Sequence, residues 1–292
     1  MMNYISETDL ILNADGSAYH INLFPHEVAD TIITVGDQDR VAEVSKHFDH
    51  IEIKKGKREF VTHTGRIGQK RITVISTGIG TDNIDIVLNE LDALVNINLD
   101  TRTVNSQLKS LDIIRIGTSG AVQADVELDT LLVSSAAFGL DPLMHYYQHS
   151  LSAHDAALLQ AFKEAIPASY QLCPYYASAG QALLDTLATD LPRGITITAP
   201  GFYTPQGRQV RAQTATPQLL SVLQSFSAGN QRITNLEMET AGIYGLATNL
   251  GHQAISFNVI LANRVTQQFS KQPLVVMEQS IVQVLERITN SK

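Results

Sequence analysis

An α/β fold, a central sheet covered by helices, is predicted by two features of the sequence. Short apolar runs rich in β-branched residues alternate with amphipathic stretches of helical spacing almost throughout. Several of those runs also pass through glycine directly into a helix start, as at Val35-Gly36-Asp37 and Ser76-Thr77-Gly78-Ile79-Gly80. No internal repeat or low-complexity segment competes with this reading.

Composition sets the outer limits. The 292 residues are 44% apolar, enough to fill a sizeable core. The formal charge of −8, from 29 acidic and 21 basic residues, disfavours a general nucleic-acid or anionic-membrane surface, so any anion must be held by a local arginine cluster. One cysteine, Cys173, precludes an intramolecular disulfide and fits a reducing compartment. Met1 to Gly16 lacks the basic start and apolar centre of a signal peptide, and no apolar run reaches spanning length, so a cytoplasmic location is expected.

In chain order, Thr31 to Val35 reads as a buried strand, followed by Gly36-Asp37 and a helix carrying Arg40. Free backbone N–H groups at such a junction suit a phosphate, and Arg40 can add a charge-assisted contact, although a plain Gly-Asp turn has the same appearance. Ile51 to Thr64 reads as a hairpin with Lys54, Lys55, Lys57 and Arg58 largely solvated. Arg71 to Thr77 forms a second buried strand, after which Asp82 or Asn83 is expected to cap a helix with Ile84, Val87, Leu88, Leu91, Leu94 and Val95 on its apolar face. Asn96 to Ser110 is polar, a surface insertion or a helical extension.

Arg115 interrupts the apolar strand Asp112 to Ile116. An unpaired buried guanidinium is costly, so it must meet an anion: either a nearby carboxylate, or a ligand oxyanion beside the Thr118 hydroxyl. Further strands are expected at Leu131 to Ala137, Gly194 to Thr198 and Ala254 to Leu261, with helices at Ala153 to Ala165, Ser178 to Leu187, Gln218 to Phe226 and Leu274 to Ile288. Asn263-Arg264 falls at the C-terminal side of the last strand, where open α/β sheets carry ligands.

Two stretches carry the chemistry. At Glu237-Met238-Glu239 a strand gives way to a helix, with Gly242 and Gly245 admitting another backbone. Carboxylates without a positive partner suit sugar hydroxyls, because an ionised carboxylate only accepts and each hydroxyl can donate; Met238 then supplies an apolar contact beneath a ring. Acidic residues in an ordinary first helical turn give the same pattern. The loop Phe202-Tyr203-Thr204-Pro205-Gln206-Gly207-Arg208 offers a ring to stack on, an amide with donor and acceptor, and a fork of N–H donors, a set matched to a planar heterocycle. A Gly/Pro turn with surface polar residues remains the plain reading.

Taken together, these residues resemble the nucleoside phosphorylase family, and within it the uridine phosphorylases, from about His20 to Arg264. Gly36-Asp37 with Arg40, Arg58-Glu59-Phe60, Arg115-Ile116-Gly117-Thr118 and Glu237-Met238-Glu239 look like family motifs and stand in the family's order. Phe202, Gln206 and Arg208 have the uridine-type spacing, and Val259 to Arg264 lacks the Ser-Asp pair of purine members; Ala241 to Gly245 looks closer to the purine enzymes, and Asp37-Gln38 lacks the usual proline.

The resemblance implies one nucleoside phosphorylase domain over residues 1–292, its mixed sheet closing toward a barrel, with an N-terminal extension (1–18) and a polar insertion (96–110). Phosphate would be held by Gly36, Arg40, Arg115 and Thr118, with Arg58 from a neighbouring subunit. Ribose would be held by Glu237, Met238 and Glu239, with His20 from the neighbour, and the base by Phe202, Gln206 and Arg208. Gln206, Arg208 and Arg115 would be the catalytic groups. No metal or organic cofactor is implied, inorganic phosphate being a co-substrate, and neither nucleic acid nor membrane is an expected partner. A homo-oligomer is implied, either a dimer or a hexamer built from three dimers. Purine nucleoside phosphorylase, nucleosidase and non-catalytic nucleoside binder stand as the alternatives.

Overall fold

The structure, a computed structural model, describes residues 4–291. Strand β1 (Thr31–Val35) is buried along its whole length and ends at Gly36. Asp37 then caps helix α1 (Gln38–Ser45) by accepting the Asp39 N–H at 3.0 Å. Strands β2 (His50–Lys57) and β3 (Phe60–Ile67) form the expected antiparallel hairpin, turned by Arg58 in the left-handed region at φ 56°. Lys54 and Arg58 are exposed as expected, whereas Lys55 and Lys57 are half-buried. Lys55 pairs with Glu27 at 2.7 Å and Lys57 donates to Asn13 Oδ1 at 2.7 Å, because the N-terminal segment lies against the hairpin.

Strand β4 (Lys70–Ser76) leads through Thr77–Gly80 into helix α2 (Thr81–Asn96), which buries Ile84, Val87, Leu88, Leu91 and Leu94 as expected. Neither Asp82 nor Asn83 caps it. The helix starts two to three residues earlier, behind Gly80 at φ 96°, a conformation that glycine reaches without a Cβ penalty. Beyond Asn96 the polar stretch is no helical extension but a small ribbon of β5 (Ile97–Asn98) and β6 (Thr103–Val104). Arg102 ties the ribbon to the N-terminal segment through Ile5 O at 2.9 Å and Ser6 O at 3.0 Å.

The second half comprises β7 (Asp112–Ala121), β8 (Leu131–Gly139), α3 (Ala153–Ala165), β9 (Tyr175–Ser178), α4 (Gln181–Leu187), β10 (Arg193–Thr198), α5 (Leu219–Ser225), β11 (Ser227–Ala228), β12 (Gln231–Glu237), α6 (Thr240–Leu250), β13 (Gln253–Asn263), β14 (Gln268–Phe269) and α7 (Pro273–Asn290). The helix expected from Ser178 begins only at Gln181, since Tyr175 to Ser178 pair antiparallel with the end of β8.

Among the described residues twelve strands join one sheet, with β12, β10, β8, β13, β7, β1, β4, β3 and β2 in spatial order. Strand β12 also pairs with β7, Asn235 opposite Ala121 and Leu236 opposite Gly120, so five strands close into a ring. Apolar residues of α2 and α6 cover one side, those of α1, α4 and α7 a second, and those of α3 and α5 a third. The close approaches at α6 are to side chains rather than backbone: a Cβ on Gly245 would stand 2.6 Å from Met144 Sδ, and one on Gly242 2.9 Å from Thr81 Cγ2. Among the described residues no helix is long and apolar enough to cross a membrane.

Candidate active site

The ring brings four chain segments to one place. Strand β12 lies between β10 and β7, and β7 pairs in parallel with β1, Arg115 standing opposite Thr34. The loop after β10, the carboxylates ending β12, the arginine on β7 and the glycine turn after β1 therefore follow one another across the sheet. They surround a cavity of about 830 Å³. Gly36, Arg40, Arg115, Thr118, Phe202, Gln206, Arg208, Glu237, Met238 and Glu239 all line it, so ten of the twelve residues singled out in the sequence share one space.

His20 and Arg58 do not line this chain's cavity. His20 Nδ1 lies 2.6 Å from Glu90 Oε1, and the Arg58 guanidinium lies 5.8 Å from the centre of the Tyr19 ring.

The carboxylate pair has the positive partner that its sequence context did not reveal. Arg115 Nη2 lies 2.7 Å from Glu239 Oε2 and 3.0 Å from Glu237 Oε2, while Nη1 donates to Asn258 Oδ1 at 3.1 Å. Of the two anions left open for Arg115, the structure supplies the protein's own carboxylates. Burial alone would lower the Arg115 pKa, but Glu237 and Glu239 outweigh it and hold the guanidinium above its ordinary value. Burial pushes the Glu239 carboxyl upward, with Glu237 adding to that push and Arg115 and the Gly80 N–H opposing it.

Each carboxylate has a structural task as well. Glu237 accepts from the Thr198 hydroxyl at 2.6 Å and from the N–H groups of Glu239 and Thr240, both at 2.9 Å, so it closes the start of α6 from the preceding strand. Glu239 Oε1 accepts the Gly80 N–H at 2.8 Å, which accounts for the early start of α2. Glu237 thereby has its acceptor sites filled, while Glu239, with one donor at each oxygen, keeps lone pairs for a donating hydroxyl.

Beside it, Arg40 enters from the first turn of α1. Its pKa is lowered by burial and by the charge of Arg115, with Asp37 pulling the other way. Two guanidinium groups close enough to oppose each other, beside a glycine turn and the Thr118 hydroxyl, form a ready anion site.

The loop residues are already organised. Arg208 stacks on Phe202 with its guanidinium carbon 3.8 Å from the ring centre, and its Nη1 donates to Gln206 Oε1 at 2.6 Å and Phe202 O at 2.7 Å. Gln206 is only 4% exposed. Burial, helped by the charge of Arg264, lowers the Arg208 pKa to about 10. Arg264, given no role by sequence reasoning, clamps the loop by donating to Gln206 O at 2.9 Å and Gly207 O at 3.2 Å. Its place at the end of β13 was the available signal. Glu59, Ile79, Leu261, Ala262 and Phe269 also border the cavity; the first four lie in stretches singled out in the sequence without being given a role, and Phe269 lies outside all of them.

A closed mixed barrel that gathers two guanidinium groups, two carboxylates and a stacking loop around one cavity can hold an anion, a sugar and a planar ring side by side. The chain belongs to the phosphorylase superfamily, whose family model matches residues 30–288. It is similar to the uridine phosphorylase of Thermococcus kodakarensis, 31% identical over 263 residues that cover 88% of this chain and 81% of that protein. It is also similar to the DeoD-type purine nucleoside phosphorylase of Shewanella denitrificans, 25% identical over 240 residues covering 81% of this chain and 82% of that protein. Among solved structures, a Trypanosoma brucei nucleoside phosphorylase showing uridine phosphorylase activity superposes with a TM-score of 0.88 at 29% identity, covering 97% of this chain and all of that one.

Proposed function

We propose that this protein catalyses the reversible phosphorolysis of uridine to uracil and ribose 1-phosphate. The observation that carries the reading is the single cavity lined by Arg40, Arg115 and Thr118, by the Glu237-Met238-Glu239 wall and by Phe202, Gln206 and Arg208. Its similarity to proteins named uridine phosphorylase supports the choice of nucleoside.

In the proposed reaction phosphate sits against Gly36, Arg40, Arg115 and Thr118. A ribose hydroxyl donates to Glu239 over Met238, and uracil lies against Phe202 beside Gln206 and Arg208. A phosphate oxygen forms the bond to the anomeric carbon as the glycosidic C–N bond breaks. The sugar passes through an oxocarbenium-like state, and the leaving uracil takes the electron pair before gaining a proton from solvent. Arg208 and Gln206 stabilise that developing anion, a role typically contributing about 3 kcal/mol per well-placed donor. No cofactor enters this scheme.

His20 and Arg58, which do not line this chain's own cavity, are assigned to the site of a neighbouring copy in a homo-oligomer, a dimer or a hexamer of three dimers, working in the cytoplasm. A two-fold pairing gives each dimer two equivalent sites. Nucleoside hydrolysis is disfavoured because water needs no anion cradle.

Product analysis with uridine, thymidine, inosine and adenosine, with and without phosphate, tests the proposal. Uracil and ribose 1-phosphate formed only with phosphate is the expected result. Phosphate-independent cleavage, preference for inosine, or binding without product would each replace it.

A further inference from the structure

We infer that Gln38 is a positioning residue for the anion end of the cavity, locking the Arg58–Glu59 hairpin tip to the glycine turn after β1. The inference rests on the reading of that end as a phosphate site. Gln38 is the first residue of α1, where the backbone N–H is one of the helix's orphan donors and proline fits without cost. The preceding Asp37, at φ −104° and ψ 134°, is in the extended conformation that a following proline requires. Backbone geometry therefore gives no reason for glutamine here.

The side chain supplies one. Gln38 Nε2 donates to Arg58 O at 2.9 Å, across twenty residues of sequence. The tip it grips is held in an unfavourable conformation, Arg58 having φ 56°. On the other side Ser76 Oγ donates to Glu59 O at 2.6 Å and accepts the Val61 N–H at 2.8 Å, so the tip is fastened from both flanks. Gln38, Glu59, Gly36 and Arg40 all border the cavity. The bond thus joins the turn bearing the anion-binding N–H groups and Arg40 to the hairpin tip that forms the adjoining wall.

Gln38→Pro and Gln38→Met separate this role from a purely structural one. Proline at this position pre-sets the helix start, so the melting temperature of Gln38→Pro without phosphate is expected to match or exceed that of the wild type. Both variants lose the donor, and the phosphate concentration for half-saturation is expected to rise about fivefold in each, the effect of one net hydrogen bond. KM for the nucleoside is expected to stay within about twofold, which a general loosening of the fold would not allow.

The readouts are phosphate-dependent stabilisation of the intact protein against heat and steady-state kinetics with each substrate varied. A wild type that phosphate does not stabilise would overturn the phosphate reading and this inference together. Wild-type phosphate saturation in both variants, beside a responsive wild type, would overturn the inference alone. So would an equal rise in both substrates' KM.

Discussion

Arg115 on β7 and Glu239 at the start of α6, 124 residues apart in sequence, meet at 2.7 Å, and Glu239 in turn holds the Gly80 N–H at 2.8 Å. One buried ion pair thereby fixes the β7 strand, the end of β12 and the beginning of α2 around the cavity. Removing the arginine strands both Glu237 and Glu239 away from water. Arg115→Ala is expected to cost about 3–5 kcal/mol of stability, because uncompensated buried carboxylates remain. Urea denaturation of the variant measures it; a loss below about 1 kcal/mol would show that the carboxylates simply take up protons.

Arg208 and Phe202 are in contact, yet their substitutions are expected to differ in kind. In the proposed reaction Arg208→Ala removes the charge that meets the departing base and is expected to lower kcat by about a hundredfold, whereas Phe202→Ala removes the proposed stacking face and is expected to act mainly on KM for the nucleoside. Steady-state kinetics of the two variants make the comparison. Equal losses in kcat would contradict the division of roles.

Arg264 touches the loop only through two backbone carbonyls. Arg264→Met is expected to raise KM for the nucleoside about five- to tenfold, as the loss of one or two net hydrogen bonds would. Phosphate saturation is expected to be unchanged. A matching change in both would mean that the substitution disturbs the barrel rather than the loop.

The depressed pKa of Arg208, about 10, predicts an alkaline limit to turnover. In the proposed reaction its charged form is the active one, so kcat is expected to be level below that pH and to fall as pH rises through it. The sign for stability is opposite. Folding holds the guanidinium at a disadvantage while it is charged, and the penalty is relieved between about 10 and the ordinary guanidinium range. Removing the like charge in Arg264→Met is expected to move the limb to higher pH. A limb that stays in place in that variant would assign it to another group.

Where structure follows from local chemistry, the sequence was readable. The β1 run Thr31–Val35 and the α3 segment Ala153–Ala165 fall at the expected boundaries, because β-branched continuity and a Ser152 cap are local signals. Strand β9 was not legible. Tyr175 and Tyr176 become strand only by pairing with Gly139 and Phe138, and nothing within four residues announces that partner. The start of α2 was misplaced for a similar reason, since the group that fixes Gly80 is a carboxylate 159 residues away.

The site shows the same division. The residue types for anion, hydroxyl and ring recognition were legible in short motifs. The charge balance among them was not, because Arg115 and the two glutamates become partners only when β7 and β12 close the ring.

That closure also divides the enzyme by how easily it can be altered. Strand β7 is hydrogen-bonded to β1, β12 and β13, so the arginine it carries is rooted in the most cross-braced part of the molecule. The Phe202–Arg208 segment, by contrast, hangs from the end of β10 on a few clamps. Under the proposed roles, a lineage built on this barrel can revise which heterocycle it accepts by rewriting one loop, while exchanging the nucleophile means rebuilding the frame.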